Sequence, residues 1–304
     1  MERNTTTISQ AEIDRQLDFC RQIAQMNADA GETPLAFVDT YGCQQNEADS
    51  ERIRGYLRAM GFDFTDDEEQ ARIIVINTCA IREHAEQRVL GNLGALVHVK
   101  RRHPDQIICL CGCMAQEPHV AQKIRESFRH VDLVFGPHVL WKFPQFIHTL
   151  LTSRGRIFQI PDEAGSIAEG IPLVRQEGVK AWVSIMYGCN NFCTYCIIPY
   201  ARGRVRSLPV EQALEQTARL ADAGVHEIVL TGIEIASYGK DFKPQVPLTE
   251  LLEKLLTAQP NVQFRLGSLD PRAVDGAFCG RLAGFANLEQ HFHLSMQCGC
   301  DTVL

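Results

Sequence analysis

The sequence predicts an α/β protein with an open parallel sheet in its first half and an incomplete (β/α) barrel in its second half. Short apolar runs rich in β-branched residues alternate with helical segments in both halves, which is typical of parallel sheets covered by helices. A length of 304 residues allows two ordinary domains. Hydrophobic residues at 45% and charged residues at 22% exclude a disordered, collagen-like or coiled-coil chain.

The first half supplies the predicted open sheet. Residues 1–34 are expected to form an N-terminal arm with an amphipathic helix at 8–27, and residues 35–151 the first domain. In that domain, apolar runs predict strands at 35–40, 73–77, 107–111 and 132–135, and helices at 47–60, 81–102, 118–129 and 138–151. Since a helix follows each strand, the strands should run parallel.

The second half repeats the alternation after a change in character. Residues 152–180 contain glycines and two prolines with no sustained period, so they are the predicted linker. Residues 181–304 are the predicted barrel domain, with strands at 181–187, 226–232, 262–268 and 291–296 and helices at 209–223, 248–258 and 273–283. The last four residues resemble the start of another helix, so we expect the printed chain to end inside the barrel.

The composition favours a reducing compartment. The longest apolar stretch, 107–115, is too short to span a bilayer, and the first thirty residues lack the apolar segment of a signal peptide. We therefore expect a cytoplasmic protein without a membrane span. Twelve cysteines are hard to explain there as disulfides, which favours metal or redox chemistry. The net charge of −7 restricts nucleic-acid contacts to local basic patches.

Three cysteines follow the first predicted strand of the barrel as CxxxCxxC: Cys189, Cys193 and Cys196. Their spacing brings three thiolates onto one short loop, where they can ligate three irons of a [4Fe–4S] cluster and leave the fourth iron open. Zinc would need a fourth ligand, and no second CxxC pair lies nearby. Incidental burial is disfavoured because a loop beside Gly188 has no core to fill.

A second set of cysteines is dispersed in the first domain. Cys43, Cys79 and Cys113 each fall just past the carboxyl end of a predicted strand. Since those ends meet at one edge of a parallel sheet, the three thiols should converge on a second site. Cys109 and Cys111 lie within a strand and are interpreted as buried small hydrophobic residues.

Polar residues lie beside both cysteine sets. Arg202, Arg204 and Arg206 follow the CxxxCxxC run, and their guanidinium forks suit RNA phosphate or a cofactor carboxylate; the alternative is a solvated charged loop. Asn46 and Asn77 flank the dispersed cysteines, where their amides either cap helices, the preferred interpretation, or hydrogen-bond sulfur.

Strand ends of the barrel supply weaker candidates for a cofactor site, because barrels place their functional groups there. Gly232 follows the second strand and would admit a cofactor closely. Ser295 and Gln297 end the fourth strand, where contact with the cofactor and a structural role both stay open. Glu234 is a less favoured candidate. Cys298 and Cys300 stay open between loop thiols and functional groups.

Four segments, TYGCQQNEAD, NTCAIREHAEQRV, CGCMAQE and CNNFCTYCIIPYARGR, together resemble the radical S-adenosylmethionine methylthiotransferases. The resemblance covers about residues 35 to 304 and makes the barrel one of the radical S-adenosylmethionine type. It implies two [4Fe–4S] clusters, a radical cluster on the CxxxCxxC cysteines and an auxiliary cluster on the dispersed ones, with Tyr195 at the S-adenosylmethionine site. The chain departs from the family at Arg206-Ser207-Leu208, where RSR is usual, and at 297–300, where QSGS or QSGC is usual.

Enzymes of this family insert a methylthio group into the base beside a tRNA anticodon or into a ribosomal protein. The resemblance implies reductive cleavage of S-adenosylmethionine, hydrogen abstraction from C2 of an adenosine, sulfur from the auxiliary cluster and a methyl group from a second S-adenosylmethionine. Implied partners are tRNA and an electron donor such as flavodoxin or ferredoxin, with a monomeric enzyme.

Two substrates remain open. Residues 35–188 resemble the branch that acts on N6-isopentenyladenosine, and the segments after the CxxxCxxC run resemble the branch that acts on N6-threonylcarbamoyladenosine, so the chain could be a mosaic. Isopentenyladenosine ranks first because its resemblance covers more of the chain. A ribosomal-protein methylthiotransferase is less favoured, and an iron–sulfur electron carrier disagrees with two sites of three cysteines. We expect the printed chain alone to be inactive on tRNA.

Overall fold

The computed structural model describes residues 8–80, 83–153, 155–161, 179–300 and 302. These residues form two compact units. The first unit holds the described residues up to 161 together with Cys193–Gly203, and the second holds those from 179 to 192 and from 204 onward. No helix among the described residues is both long enough and apolar enough to cross a membrane.

The first unit contains a six-stranded parallel sheet, which confirms the predicted open sheet. Its strands lie in the order β2-β1-β3-β4-β5-β6. They are β1 (Leu35–Tyr41), β2 (Asp63–Phe64), β3 (Ala71–Thr78), β4 (Ile107–Gly112), β5 (Leu133–Phe135) and β6 (Ile157–Gln159). The central strands β1, β3 and β4 are neighbours, so their carboxyl ends lie side by side.

Helices cover the sheet with two apolar clusters, one on each face. The helices are α1 (Gln10–Asp29), α2 (Gln44–Ala59), α3 (Glu83–Arg102), α4 (Pro118–Ser127) and α5 (Phe143–Thr152). Residues of α1, α2 and α5 build one cluster, and residues of α3 and α4 build the other. Helix α1 belongs to this core, since Cys20 and Ile23 are buried in it.

Strand β4 illustrates how the sheet is buried on both faces. Cys109 and Cys111 point into the cluster of α1, α2 and α5, and Ile108 and Leu110 point into the other one. The period of two in a strand produces this alternation. The prediction that Cys109 and Cys111 are core residues is thereby confirmed.

Three local features of the first unit differ from the sequence prediction. Strands β2 and β6 were not predicted, and β6 lies inside the expected linker 152–180; a periodic pattern is too short to detect in two or three residues. The helix expected at 138–151 is a 3-10 turn, Pro137–Lys142, followed by α5. Pro144 stands in the first turn of α5, where its missing N–H costs nothing. Residues 162–178 of the expected linker lie outside the described residues.

The second unit is built from short sheets. Three parallel strands, β7 (Lys180–Ser184), β10 (Glu227–Thr231) and β11 (Gln263–Leu266), form the largest sheet, in the order β11-β10-β7. The other strands are β8 (Met186–Tyr187) and β9 (Arg206–Ser207), which pair antiparallel, and β12 (Ser268–Leu269) and β13 (His293–Leu294), which pair parallel. The helices are α7 (Val210–Asp222), α8 (Leu248–Ala258) and α9 (Gly276–Leu282); α6 (Ile198–Ala201) belongs to the first unit.

Several predicted barrel elements are shorter than expected. The run 262–268 divides at Gly267 into β11 and β12. The run 181–187 divides at Ile185 into β7 and β8, and the N–H of Ile185 donates to the carbonyl oxygen of Thr231. The fourth strand, expected at 291–296, is only His293–Leu294, both exposed. Among the described residues this strand pairs with β12 alone, so few ladder hydrogen bonds extend it.

Candidate metal centres

Cys43, Cys79 and Cys113 converge at the carboxyl edge of the first unit's sheet. They follow β1, β3 and β4, the three adjacent central strands. The Cys79 thiol hydrogen-bonds the Cys43 sulfur, and the charge of Cys43 influences Cys113. Residues distant in sequence therefore form one group of thiols, as the strand-end argument expects.

Glycines let the loops of this edge approach one another. A Cβ added at Gly42 would lie 2.7 Å from the Cβ of Cys79, and one added at Gly112 would lie 2.2 Å from the carbonyl oxygen of Thr78. Gly112 also has a φ of +95°, a conformation that favours glycine. The backbone next to Cys43 and next to Cys113 therefore requires glycine, at Gly42 and Gly112 respectively.

A network of amides supports the thiols from below. The Cys43 thiol donates to Oδ1 of Asn46 at 3.3 Å. Nδ2 of Asn46 donates to Oδ1 of Asn77 and to the carbonyl oxygen of Thr78, both at 3.0 Å, and Nδ2 of Asn77 donates to Oγ of Ser50 at 2.9 Å. Asn46 lies inside the first turn of α2, whose N-cap is Cys43, so it is not a cap. The preferred capping interpretation of Asn46 is wrong, and its contact to sulfur is the one observed.

The charges around the thiols favour one thiolate. The pKa of Cys43 is lowered to about 6, chiefly because Cys79 donates a hydrogen bond to its sulfur and also because of the positive charge of Arg202 and the backbone N–H groups at the start of α2. Burial raises the pKa of Cys113. Since the thiolate is the form that binds metal, these contacts favour ligation by Cys43 near neutral pH.

The three arginines of the loop are in different environments. Arg202 is buried in the first unit, where Nε donates to Sγ of Cys113 at 2.9 Å and Nη2 lies 2.8 Å from Oδ2 of Asp49. In the second unit, Arg204 is exposed and lies 4.1 Å above the ring of Phe192, and Arg206 stands in β9. The fork of Arg202 is therefore engaged by protein groups, whereas that of Arg204 faces solvent.

Sequence reasoning missed Asp49, which pairs with Arg202. Gln45 and Asp49 lie one turn apart on α2, and both are less than 5% exposed although they are polar. A buried polar face on a helix indicates partners that are distant in sequence.

The CxxxCxxC cysteines lie on irregular backbone. Cys189 is buried in the second unit, and the N–H of Asn191 donates to its sulfur at 3.5 Å. Cys193 and Cys196 belong to the segment Cys193–Gly203 of the first unit. Cys193 is exposed and Cys196 is half-buried, and the N–H of Cys196 donates to the carbonyl oxygen of Cys193 at 2.9 Å. Tyr195 is 70% exposed. Cys193 and Cys196 are therefore not buried core residues, and ligation of a cluster by the three cysteines stays a prediction.

Both halves of the chain match known protein families. The radical SAM superfamily matches residues 183–276, and a family described as uncharacterized protein family UPF0004 matches residues 36–136. The chain is 38% identical over 302 residues to a tRNA-2-methylthio-N(6)-dimethylallyladenosine synthase of Alkaliphilus oremlandii, 40% over 293 residues to one of Caldicellulosiruptor saccharolyticus, and 39% over 306 residues to one of Clostridioides difficile. The chain therefore combines a UPF0004 region with a radical SAM region and is similar over nearly its whole length to these three synthases.

The coverage of these methylthiotransferases is unequal. The three alignments include 95 to 99% of this chain but only 62 to 64% of each relative. Among solved structures, the radical S-adenosylmethionine methyltransferase TsrM of Kitasatospora setae, in two states, has TM-scores of 0.52 and 0.53 at 14% identity. These matches cover 82 and 83% of this chain and 57 and 59% of that protein, and they support the fold.

The regions matched by the two families contain both cysteine sets of this chain. Among the described residues, no three Cys, His, Asp or Glu side chains are arranged to hold a single metal ion. A [4Fe–4S] cube is wider than an ion and distributes its thiolates over separate irons. Three converging thiols match the three protein ligands of such a cluster with one open iron, whereas a structural zinc site requires a fourth ligand.

The predicted cofactor residues of the barrel have protein contacts. A Cβ at Gly232 would lie 2.7 Å from Cγ of Met186, so packing within the second unit already requires glycine there. The N–H of Ser295 donates to the carbonyl oxygen of Leu269 at 2.9 Å. Glu234 is buried and accepts hydrogen bonds from Ser237 at 2.6 Å and from the Asp270 N–H at 3.2 Å, so it joins two strand ends. A cofactor role for Gly232 and Ser295 stays a prediction.

Proposed function

We propose that this chain belongs to a tRNA methylthiotransferase that adds a methylthio group to C2 of the N6-isopentenyladenosine beside the anticodon. One observation carries the proposal: Cys43, Cys79 and Cys113 meet at one sheet edge in a chain that also contains the CxxxCxxC run. The three relatives are named for the dimethylallyl form of this base. Because the chain spans at most 64% of their length, the activity is a proposal for the whole enzyme.

Two [4Fe–4S] clusters would serve this reaction, each held by three cysteines and leaving one iron without a protein ligand. Cys43, Cys79 and Cys113 would hold the auxiliary cluster, and Cys189, Cys193 and Cys196 the radical cluster. When bound, the radical cluster and S-adenosylmethionine supply one-electron chemistry, and the auxiliary cluster supplies sulfur. The lowered pKa of Cys43 favours its thiolate at neutral pH.

Other residues of the chain would bind and orient the reactants. Tyr195, Gly232 and Ser295 are proposed for S-adenosylmethionine, Tyr195 because it precedes the third cysteine of the run. Arg204 is exposed above Phe192, so its fork can bind a phosphate of the RNA backbone. Arg206 is proposed for the same strand of RNA on account of its position in the loop.

The chemistry also suggests partners and a compartment. A radical cluster needs a one-electron donor, for which a flavodoxin or ferredoxin is suitable, and tRNA is the substrate. A cytoplasmic location is proposed because cysteines that ligate iron–sulfur clusters must stay reduced, and the cytosol keeps thiols reduced. The enzyme is proposed to be monomeric.

N6-threonylcarbamoyladenosine is the second candidate substrate. Its threonylcarbamoyl group carries a carboxylate, whereas the isopentenyl group is apolar. The exposed guanidinium of Arg204 offers a bidentate partner for that carboxylate, and this observation favours the alternative.

The test joins this chain to the carboxyl-terminal remainder of a dimethylallyladenosine synthase or of a threonylcarbamoyladenosine methylthiotransferase. Both fusions are reconstituted anaerobically and offered tRNA with either modified base, and digested nucleosides are measured by mass spectrometry. We expect a mass gain of one methylthio group on isopentenyladenosine only. Turnover confined to threonylcarbamoyladenosine in both fusions would reverse the order of the two substrates. Arg204→Gln separates the two substrates further. If Arg204 recognises the carboxylate of the threonylcarbamoyl group, this substitution should remove the discrimination between the two modified bases; otherwise the discrimination should stay.

A further inference from the structure

Arg202 is a buried residue of a loop in which Arg204 is exposed. It caps the carboxyl end of α6, where its N–H donates to the carbonyl oxygen of Ile198 at 2.8 Å. The residue is only 3% exposed, whereas Tyr200 is 70% exposed. Arg202 is therefore directed into the first unit by the same short segment that carries Cys193 and Cys196.

The guanidinium of Arg202 bridges a sulfur and a carboxylate. Nε donates to Sγ of Cys113 at 2.9 Å, and Nη2 lies 2.8 Å from Oδ2 of Asp49. The other oxygen of Asp49 accepts from Nε2 of Gln45 at 3.2 Å and lies 3.6 Å from Nη1 of Arg52. Since Asp49 is fixed on α2, whose N-cap is Cys43, the bridge links two of the proposed cluster ligands.

Stability alone is a weak reason for such a pair. Removing two charges from water is unfavourable, and buried ion pairs are often no more stabilising than apolar side chains of the same size. Both side chains here are at most 5% exposed. What distinguishes this pair is its N–H directed at the sulfur of Cys113, since hydrogen bonds to ligand sulfurs and local charge set the potential of an iron–sulfur cluster.

We propose that Arg202 is a positioning residue that fixes the Cys113 sulfur and raises the reduction potential of the auxiliary cluster, while Asp49 limits that effect. The inference rests on the proposed function, because it requires a cluster on Cys43, Cys79 and Cys113. Reduction adds negative charge to a cluster. A guanidinium in contact with a ligand sulfur stabilises that charge, and the carboxylate of Asp49 opposes it.

The experiment isolates the auxiliary cluster in the full chain carrying Cys189→Ala, Cys193→Ala and Cys196→Ala. After anaerobic reconstitution, iron and sulfide are counted, and the midpoint potential is measured by redox titration followed by absorbance and electron paramagnetic resonance. Arg202→Gln should shift the midpoint to a lower potential. Arg202→Lys keeps the charge but loses the fixed N–H, so it should shift the midpoint less in the same direction.

Two further variants provide the sign test and the control. Asp49→Asn should shift the midpoint to a higher potential, opposite to Arg202→Gln, because it removes the opposing negative charge. Arg88→Gln is the matched control, since Arg88 is an exposed arginine of the same unit that lies over Tyr41. Its charge is screened by solvent, and the midpoint should not move.

The possible outcomes separate this inference from the proposed function. If Arg202→Gln binds full iron and its midpoint potential and paramagnetic resonance spectrum are unchanged, the inference is overturned and the proposed function is not. The same holds if Arg202→Gln and Asp49→Asn shift the midpoint in the same direction. If Arg202→Gln does not fold or does not bind iron, Arg202→Lys and Asp49→Asn provide the test. The midpoint potential should then be lower in Arg202→Lys and higher in Asp49→Asn than in the parent protein. Absence of any cluster while Arg202 is intact would overturn the proposed function and the inference with it.

Discussion

Cys111 and Cys113 are separated by a single glycine, yet they lie in different chemical environments. Cys111 is the last cysteine inside β4 and packs in the apolar cluster of the first unit. Cys113 lies beyond Gly112, where its sulfur accepts a hydrogen bond from Arg202. Burial raises the pKa of both thiols, but the hydrogen bond from Arg202 to the Cys113 sulfur favours the thiolate, the form that binds metal.

Single substitutions should therefore separate the two cysteines. Cys113→Ala is expected to remove the iron of the auxiliary cluster, whereas Cys111→Ala should keep it and lower the free energy of unfolding by about 1 kcal/mol. Iron and sulfide analysis of the reconstituted proteins and urea unfolding of the apoproteins measure the two effects. Iron retained in Cys113→Ala and lost in Cys111→Ala would move the ligand by two residues.

At this scale, sequence predicted the cysteines and failed on Arg202. Cys43, Cys79 and Cys113 were identifiable because each follows a strand, and parallel strands end at one edge of a sheet. The burial of Arg202 depends on Asp49, a residue 153 positions earlier in the chain. No periodicity or local spacing encodes a pairing between such distant charges.

At the scale of secondary-structure elements, the end of β4 depends on backbone that only glycine tolerates. Gly112→Ala places a Cβ 2.2 Å from the carbonyl oxygen of Thr78 at a φ of +95°. We expect it to lower the free energy of unfolding by more than about 1 kcal/mol and to reduce iron loading at Cys113. Gly94→Ala is the matched control. Gly94 lies in the interior of α3, and apart from the helix's own backbone and its chain neighbours a Cβ there would meet no atom within 4 Å.

Gly94→Ala should raise the free energy of unfolding by about 0.5–1 kcal/mol, because alanine restricts the unfolded chain and suits a helix interior. Urea denaturation of both apoproteins measures the pair. Equal effects of the two substitutions would show that β4 ends without the close approach described for Gly112.

Long elements were predictable and short ones were not. Strands β1, β3 and β4 and the helices around them carry enough alternating or helical pattern to be located. Strand β6 has three residues, and the fourth barrel strand shrinks to two, because tertiary pairing and not local pattern determines such edges. Pro144 in the first turn of α5 was visible in the sequence, but the 3-10 turn Pro137–Lys142 before α5 was not predicted.

At the scale of the whole molecule, the chain carries two cysteine sets of different origin. One is assembled by the sheet from Cys43, Cys79 and Cys113, and the other is local in sequence at 189–196. A set assembled by a sheet depends on the fold of the first unit, whereas a local loop depends on a few residues. The two sets should therefore load and lose iron separately.

Replacement of each set tests this independence. The Cys189→Ala, Cys193→Ala, Cys196→Ala variant should keep about half of the iron and sulfide of the parent chain, because the auxiliary cluster remains. Replacement of Cys43, Cys79 and Cys113 by alanine should keep the other half. Iron and sulfide per chain after anaerobic reconstitution give both values, with circular dichroism as the measure of folding. Full iron in either triple variant, or complete loss from a variant that stays folded, would mean that the six cysteines do not form two sites.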